Sequence, residues 1–225
     1  MERRISATNP DFYYFVSGKN PRLLIHTGTH GDEWEIIDLV KKALEKYELH
    51  LPAFVFFPEV SPSAVAAKTR ANARGKDINR IFYSDSDDPE VIENIKHLSG
   101  KHFDLFISFH EDVGIEEYYI YNTGKIDRKN KAVVRHNGKL KAGGIKLLNG
   151  LDDTNDPALG YEFKGGYRRF VFDGNEPDNG MITVWLMNRG MVNEYMIPEI
   201  PGRLDIKKKE FIIDSFFRDV LLRLA

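Results

Sequence analysis

Two histidines and three acidic residues crowd into HTGTHGDEWE, residues 26–35. Polar residues at this density do not build a core. Neutral imidazole and carboxylate are both good zinc ligands. At a turn, a His-x-x-Glu pair such as His30 and Glu33 can aim both groups at one point. In the helical His-Glu-x-x-His arrangement the histidines instead sit four apart on one helix face. The plainer uses are that Glu33 complements the positive end of a helix dipole and that His30 is an exposed loop residue. A catalytic zinc wants three protein ligands and an open position. FDLFISFHED offers a third, because an apolar stretch runs straight into His110. Glu111 and Asp112 are then natural partners to orient that imidazole, or else solvated loop charges. Between these segments, KTRANARGKDINRIF (residues 68–82) crowds Arg70, Arg74 and Arg80 beside Asn72, Asp77 and Asn79. It reads either as a solvated basic loop or as a substrate clamp. A guanidinium fork matches a carboxylate bidentately, so Asn79 and Arg80 next to a metal could hold a carboxylate or polarise a carbonyl.

Elements of the right kind flank these residues. PRLLIHTG is a short apolar run ending in glycine, which predicts a buried strand. In DEWEIIDLVKKALEKYEL the apolar residues Trp34, Ile36, Ile37, Leu39, Val40, Ala43 and Leu44 recur at helical spacing, and Asp32 and Glu33 suit the helix N-terminus. His30 and Glu33 therefore fall at a strand-to-helix turn, at the carboxyl end of a strand, where open α/β sheets bind ligands. AFVFFPEV, HFDLFISFH and EEYYIYN predict further strands, and PEVIENIKHLSG a helix with proline at its start and glycine after its end. Strands alternate with helices to about residue 122, which predicts an α/β domain with a largely buried sheet. Residues 123–180 read as long loops with short strands. MITVWLM and MVNEYMIPE return to strand character, and DIKKKEFIIDSFFRDVLLRLA closes the chain as an amphipathic helix. With no convincing linker, one domain over residues 1–225 is expected.

Composition narrows the chemistry. Hydrophobic residues make up 42% and charged residues 29% of the 225, at a net charge of -2. That balance fits a soluble globular protein and gives no global field to draw in nucleic acid or an anionic membrane. The chain has no cysteine, so a transition-metal site must use His and carboxylate, a donor set that suits zinc. MERRISATNPDFYY lacks the apolar core of a signal peptide, and no apolar run reaches the roughly 18 residues of a membrane span. The expectation is a soluble, cytoplasmic protein.

HGDE, TRANARGKDINR and FISFH, in that order, resemble the signatures of the M14 zinc carboxypeptidase superfamily, which includes the aspartoacylase and succinylglutamate desuccinylase branch. IPEIPGRL resembles that family's last catalytic segment. The resemblance implies an α/β/α sandwich with a mixed, mostly parallel central sheet. It implies one zinc held by His30, Glu33 and His110, with Asn79 and Arg80 gripping a free carboxylate of the substrate. Arg70 would stabilise the oxyanion, with Arg74 as competitor, and Glu199 would be the general base, with Glu194 as rival. The implied activity is hydrolysis of an amide beside a free carboxylate, as in a carboxypeptidase, on a small peptide. The alternative is N-acyl-amino-acid deacylation. THGDE and NRIF lean toward the deacylases, whereas FHED followed by YYIY departs from their usual context and suggests a minimal peptidase-like domain. A substrate-capping tyrosine is not assigned between Tyr161 and Tyr167.

Overall fold

The computed structural model describes residues 1–124, 128–153, 159–172 and 176–224. Its strands are β1 (Glu2–Ile5), β2 (Tyr13–Ser17), β3 (Leu23–His26), β4 (Phe54–Phe57), β5 (Phe103–Ser108), β6 (His110–Asp112), β7 (Tyr119–Thr123), β8 (Gly150–Leu151), β9 (Glu162–Phe163), β10 (Tyr167–Phe170) and β11 (Val192–Pro201). Its main helices are α1 (Glu35–Tyr47), α2 (Pro62–Ala67), α3 (Pro89–Leu98), α4 (Lys131–Ala142), α5 (Ile182–Asn188) and α6 (Ile206–Phe216). None of the helices among the described residues is long and apolar enough to cross a membrane.

The central sheet runs β1-β2-β4-β3-β5-β11-β7-β10, with β6 paired to β11. β4, β3, β5 and β11 are mutually parallel, as are β7 and β10, while β1, β2 and the β7–β11 pair are antiparallel. This is the mixed, mostly parallel α/β sheet that the resemblance implies. All four residues of β3 and of β4 are buried, which is why they read as continuous apolar runs rather than alternating ones. Ile25, Phe54, Phe56 and Ile107 pack one face against α1, α4 and α6. Leu24, Val55, Phe57 and Phe106 pack the other against α3 and α5.

Helix α1 buries Ile36, Ile37, Leu39, Val40, Ala43 and Leu44. At roughly 1.5–3 kcal/mol for each large side chain, that stripe far outweighs intrinsic propensity in fixing the helix. Helix α3 starts where Asp88 accepts the backbone N–H of Glu90 and Val91, a side-chain cap followed by proline.

Two expectations need correction. MITVWLM is not a strand, because Ile182–Asn188 forms α5. Five consecutive buried residues, Ile182 to Leu186, leave no period to read. What starts the helix is remote: the Asn79 side-chain oxygen accepts the Ile182 N–H at 3.1 Å. The 123–180 segment is also not all loop and strand, since it contains α4. That helix is weakly encoded. It buries only Ala132, Val133, His136 and Leu140 and carries Gly138, which costs about 1 kcal/mol relative to alanine. Asn130 caps it by accepting the Ala132 N–H. Parts of the 123–180 reading lie outside the described residues.

Candidate metal centre and active site

Strands β3 and β5 run side by side with His26 opposite Ser108, so the loops that follow them leave the sheet at one level. After β3 the chain passes through a tight turn at Gly31–Glu33 before α1 begins. The turn lies so close to α2 that a Cβ on Gly31 would sit 1.8 Å from the Ala64 carbonyl oxygen. Only glycine allows this approach, and the Gly31 N–H is held by the Thr69 carbonyl at 2.9 Å.

The turn aims His30 and Glu33 at His110, the first residue of β6. One ligand atom from each of the three lies within 4.8 Å of the others, and all three residues are buried. Glu33 Oε1 is 2.6 Å from His30 Nδ1, and Glu33 Oε2 is 2.9 Å from His110 Nδ1. The second contact is close but out of line, so that this buried carboxylate oxygen has no hydrogen-bond partner. The opposite ring nitrogens are held from behind. His30 Nε2 meets Asp77 Oδ1 at 3.1 Å, and His110 Nε2 meets Ser108 Oγ at 3.0 Å. Such outer partners set the tautomer and orientation of metal-binding imidazoles.

Burial disfavours charge on His30, but the Glu33 and Asp77 carboxylates outweigh it and hold the imidazole pKa up to about 9. Burial likewise opposes ionisation of Glu33, yet the facing charges of His110 and His30 keep its carboxyl far below the usual range. A charge and a proton on His30 thus compensate the buried Glu33 carboxylate. A divalent cation at the convergence point would take their place, because metal binding displaces protons from such ligands. Two imidazole nitrogens, a carboxylate and no thiolate make a set that fits zinc.

Glu199 reaches the site from β11. It lies opposite His110 on one side and Tyr119 on the other. Burial first, then the charges of Glu33 and Asp112, push its carboxyl well above the ordinary value. Glu194 lies at the other end of the strand, packed against Gly124, and does not line the cavity. Arg70 lines it, with its guanidinium on Asp77 Oδ2 at 2.9–3.0 Å. Arg74 does not. Its guanidinium is drawn to the Asp87 carbonyl oxygen at 2.9 Å and the Asp87 carboxylate at 3.5 Å. Asn79 and Arg80 both line the cavity. They are fixed by Gly180, where a Cβ would be 2.2 Å from the Arg80 carbonyl oxygen, and by the Asn79–Ile182 bond that starts α5. Tyr161 lines the cavity, whereas Tyr167, on β10 alongside β7, is buried in the core and accepts from Asn122 at 2.8 Å. The cavity measures about 1000 Å³.

Glu111 and Asp112 do not orient His110. Glu111 points to the other face and accepts from buried Lys209 of α6 at 2.6 Å. Asp112 accepts the Tyr119 hydroxyl at 2.6 Å and the N–H groups of Gly114 and Ile115. The partners that sequence reasoning missed are Asp77, Ser108 and Lys209. The available signals were Asp77 two residues before Asn79, and Ser108 two before His110 on an extended chain, a spacing that shares one face. Lys209 gave none, since KKK reads as the solvated side of a helix.

Residues 19–136, more than half of the chain, match the family described as succinylglutamate desuccinylase/aspartoacylase catalytic domain. No curated protein sequence is significantly similar. Among solved structures, the chain is similar to an inferred metallopeptidase from Shewanella amazonensis. The TM-score is 0.72 at 17% identity, covering 100% of this chain and 87% of that one. It also resembles a metallo-carboxypeptidase from Burkholderia cenocepacia (TM-score 0.61, 12% identity, 96% and 61% covered). A third is an aspartoacylase family protein from Mesorhizobium loti (TM-score 0.51, 19% identity, 93% and 61% covered). At these identities the structural likeness speaks for the fold. The sequence match goes further: the chain belongs to the succinylglutamate desuccinylase/aspartoacylase family of hydrolases, built on the M14 carboxypeptidase-like fold.

Proposed function

We propose that this protein is a zinc-dependent hydrolase that cleaves an amide bond adjacent to a free carboxylate, in the manner of a carboxypeptidase. The observation that carries the reading is the convergence of buried His30, Glu33 and His110 on one point, in a cavity that Glu199, Arg70 and Arg80 also line. His30, Glu33 and His110 would hold the metal, which when bound supplies Lewis acidity to the scissile carbonyl and to the attacking water. Glu199 takes a proton from that water and delivers one to the leaving nitrogen. A cation held by His30, Glu33 and His110 would offset the burial and the carboxylate charges that raise its pKa, leaving Glu199 able to accept that proton. Arg70, preset by Asp77, offers a fixed cation to the developing oxyanion. Arg80, steadied by Asn79, binds the substrate carboxylate and so turns binding into orientation. The whole chain, residues 1–225, acts as one catalytic domain.

A second reading, N-acyl-amino-acid deacylation at the same centre, is favoured by the family match. Both use the same machinery and differ in the group released. A panel of small peptides and N-acyl amino acids, assayed with zinc present alongside elemental analysis, separates them. Stoichiometric metal retained in His30→Ala refutes the metal assignment. A metal-loaded protein inactive on every carboxylate-bearing amide refutes the activity.

A further inference from the structure

The cavity wall away from the metal-ligand candidates is aromatic and acidic at once. Tyr121 meets Phe170 at 6.0 Å between ring centroids, and Phe170 meets Tyr161 edge-on at 4.8 Å. Tyr195 completes the wall. Asp152 is buried beside these rings. It accepts the Tyr121 hydroxyl and the N–H groups of Gly160 and Tyr161, each at 2.6 Å. Glu176 stands at the rim; burial first, and then its charge, push the Tyr195 phenol up. Neither Asp152 nor Glu176 has a cationic partner among the described residues.

The cations lining the cavity lie elsewhere. Arg70 is engaged by Asp77. Arg80 belongs to the Asn79 segment, and Arg203 follows the turn where the Gly202 N–H meets the Asp112 carbonyl. Arg168 lies 5.8 and 5.3 Å from the ring centroids of Tyr161 and Phe170 but does not line the cavity. The rings therefore already attract one guanidinium, and their cavity side offers the same attraction to a ligand.

We propose that this wall is a specificity subsite for a positively charged side chain on an apolar stem, of the lysine or arginine kind, carried by the residue that bears the free carboxylate. Aromatic faces attract ammonium and guanidinium groups, most strongly where water is excluded. Tyr121 strengthens this by giving its hydroxyl hydrogen to Asp152, which leaves its ring more electron-rich. A neutral apolar side chain would strip water from exposed Glu176 and give the buried charge of Asp152 nothing in return. An acidic one would meet like charge. The stem lies along the rings while the head reaches the carboxylates.

The inference rests on the reading that Arg80 holds the substrate carboxylate, and the test separates the two. Calorimetry on the zinc-supplemented protein compares L-lysine, L-norleucine and L-glutamate, the first two sharing a stem and differing in charge. Lysine is expected to bind roughly tenfold tighter than norleucine, and glutamate weakest. Glu176→Gln, at an exposed rim position, should shrink the lysine preference without disturbing the fold, and Asp152→Asn should shrink it further. Norleucine or glutamate binding as tightly as lysine overturns the subsite, as does the absence of binding by all three. Hydrolysis of N-benzoylglycyl-lysine, -leucine and -glutamate is measured in parallel. Turnover without a lysine preference defeats the subsite and leaves the hydrolase standing. A lysine preference in binding with no turnover of any substrate defeats the hydrolase and leaves the subsite.

Discussion

Asp77 holds three things in place, and replacing it with asparagine separates them. Its Oδ1 meets His30 Nε2 at 3.1 Å and accepts the Asn79 N–H at 2.8 Å. Its Oδ2 takes the Arg70 guanidinium at 2.9–3.0 Å. Asp77→Asn keeps the shape and an oxygen for the Asn79 N–H, so the cap on the following turn, worth about 1 kcal/mol, survives. Arg70 is half-exposed, and an ion pair so placed contributes only about 0–1 kcal/mol to stability. The metal-free fold also loses a carboxylate that helps keep buried His30 charged. It should therefore melt below the wild type, by about 1 kcal/mol of unfolding free energy for each pKa unit that His30 loses. The same charge orients His30, and losing such an outer partner typically costs about 10–100-fold in metal affinity. That equals about 1.4–2.7 kcal/mol. Competition for zinc against a chromophoric chelator measures the affinity, while thermal unfolding of the metal-free proteins measures the fold separately. Zinc affinity within twofold of wild type would show that Asp77 does not orient His30. A large loss of stability with unchanged affinity would make it a structural residue only.

Arg80→Ala should lower kcat/KM for carboxylate-bearing substrates by about 2–5 kcal/mol, the usual cost of removing one partner of a buried charge pair. The matching C-terminal amides should change much less, and equal losses would point to a structural role. Glu199→Gln should leave zinc bound and reduce kcat by about 10²–10⁴-fold, the usual contribution of general-base catalysis. Glu194→Gln, which does not line the cavity, should stay near wild type, and the reverse pattern would mean the wrong glutamate. His136 is buried between Tyr118 and Ser215. Burial lowers its pKa to about 3, against a raising influence of Asp219 and lowering ones from Arg218 and Lys139. The unfolded chain protonates this residue near 6.5. Its contribution is thus fully present above that pH and is lost as pH falls toward 3, by about 1.4 kcal/mol per unit. His136→Gln should flatten the fall in unfolding free energy between pH 6 and 4 by about that slope. Parallel curves for the two proteins would show that native His136 takes up its proton at the same pH as the unfolded chain.

Sequence by itself determined the chemistry on offer and the local elements that carry it. Unbroken apolar runs identified β3 and β4, because strands buried on both faces are apolar nearly throughout, and the mostly apolar FDLFIS identified β5. The 3.6-residue stripe identified α1. The strand ends then located His30, Glu33 and His110, since the turn after a strand is encoded within a few residues of it. Tertiary structure decided everything that depends on distant neighbours. Glu199 meets the site only because β11 enters the sheet between β5 and β7 in a register that sets it against His110, and neither strand order nor register is written in local pattern. Arg70 and Arg74 are equivalent in the sequence. They are separated in space because Asp77 draws one into the cavity and Asp87 draws the other away. Residues 182–186 are buried on every side and so have no period. Their helix begins because Asn79, remote in sequence, supplies the first hydrogen-bond acceptor. Lys209 reads as one of three solvated lysines, yet α6 turns it inward onto Glu35 and Glu111, where two carboxylates make its burial possible.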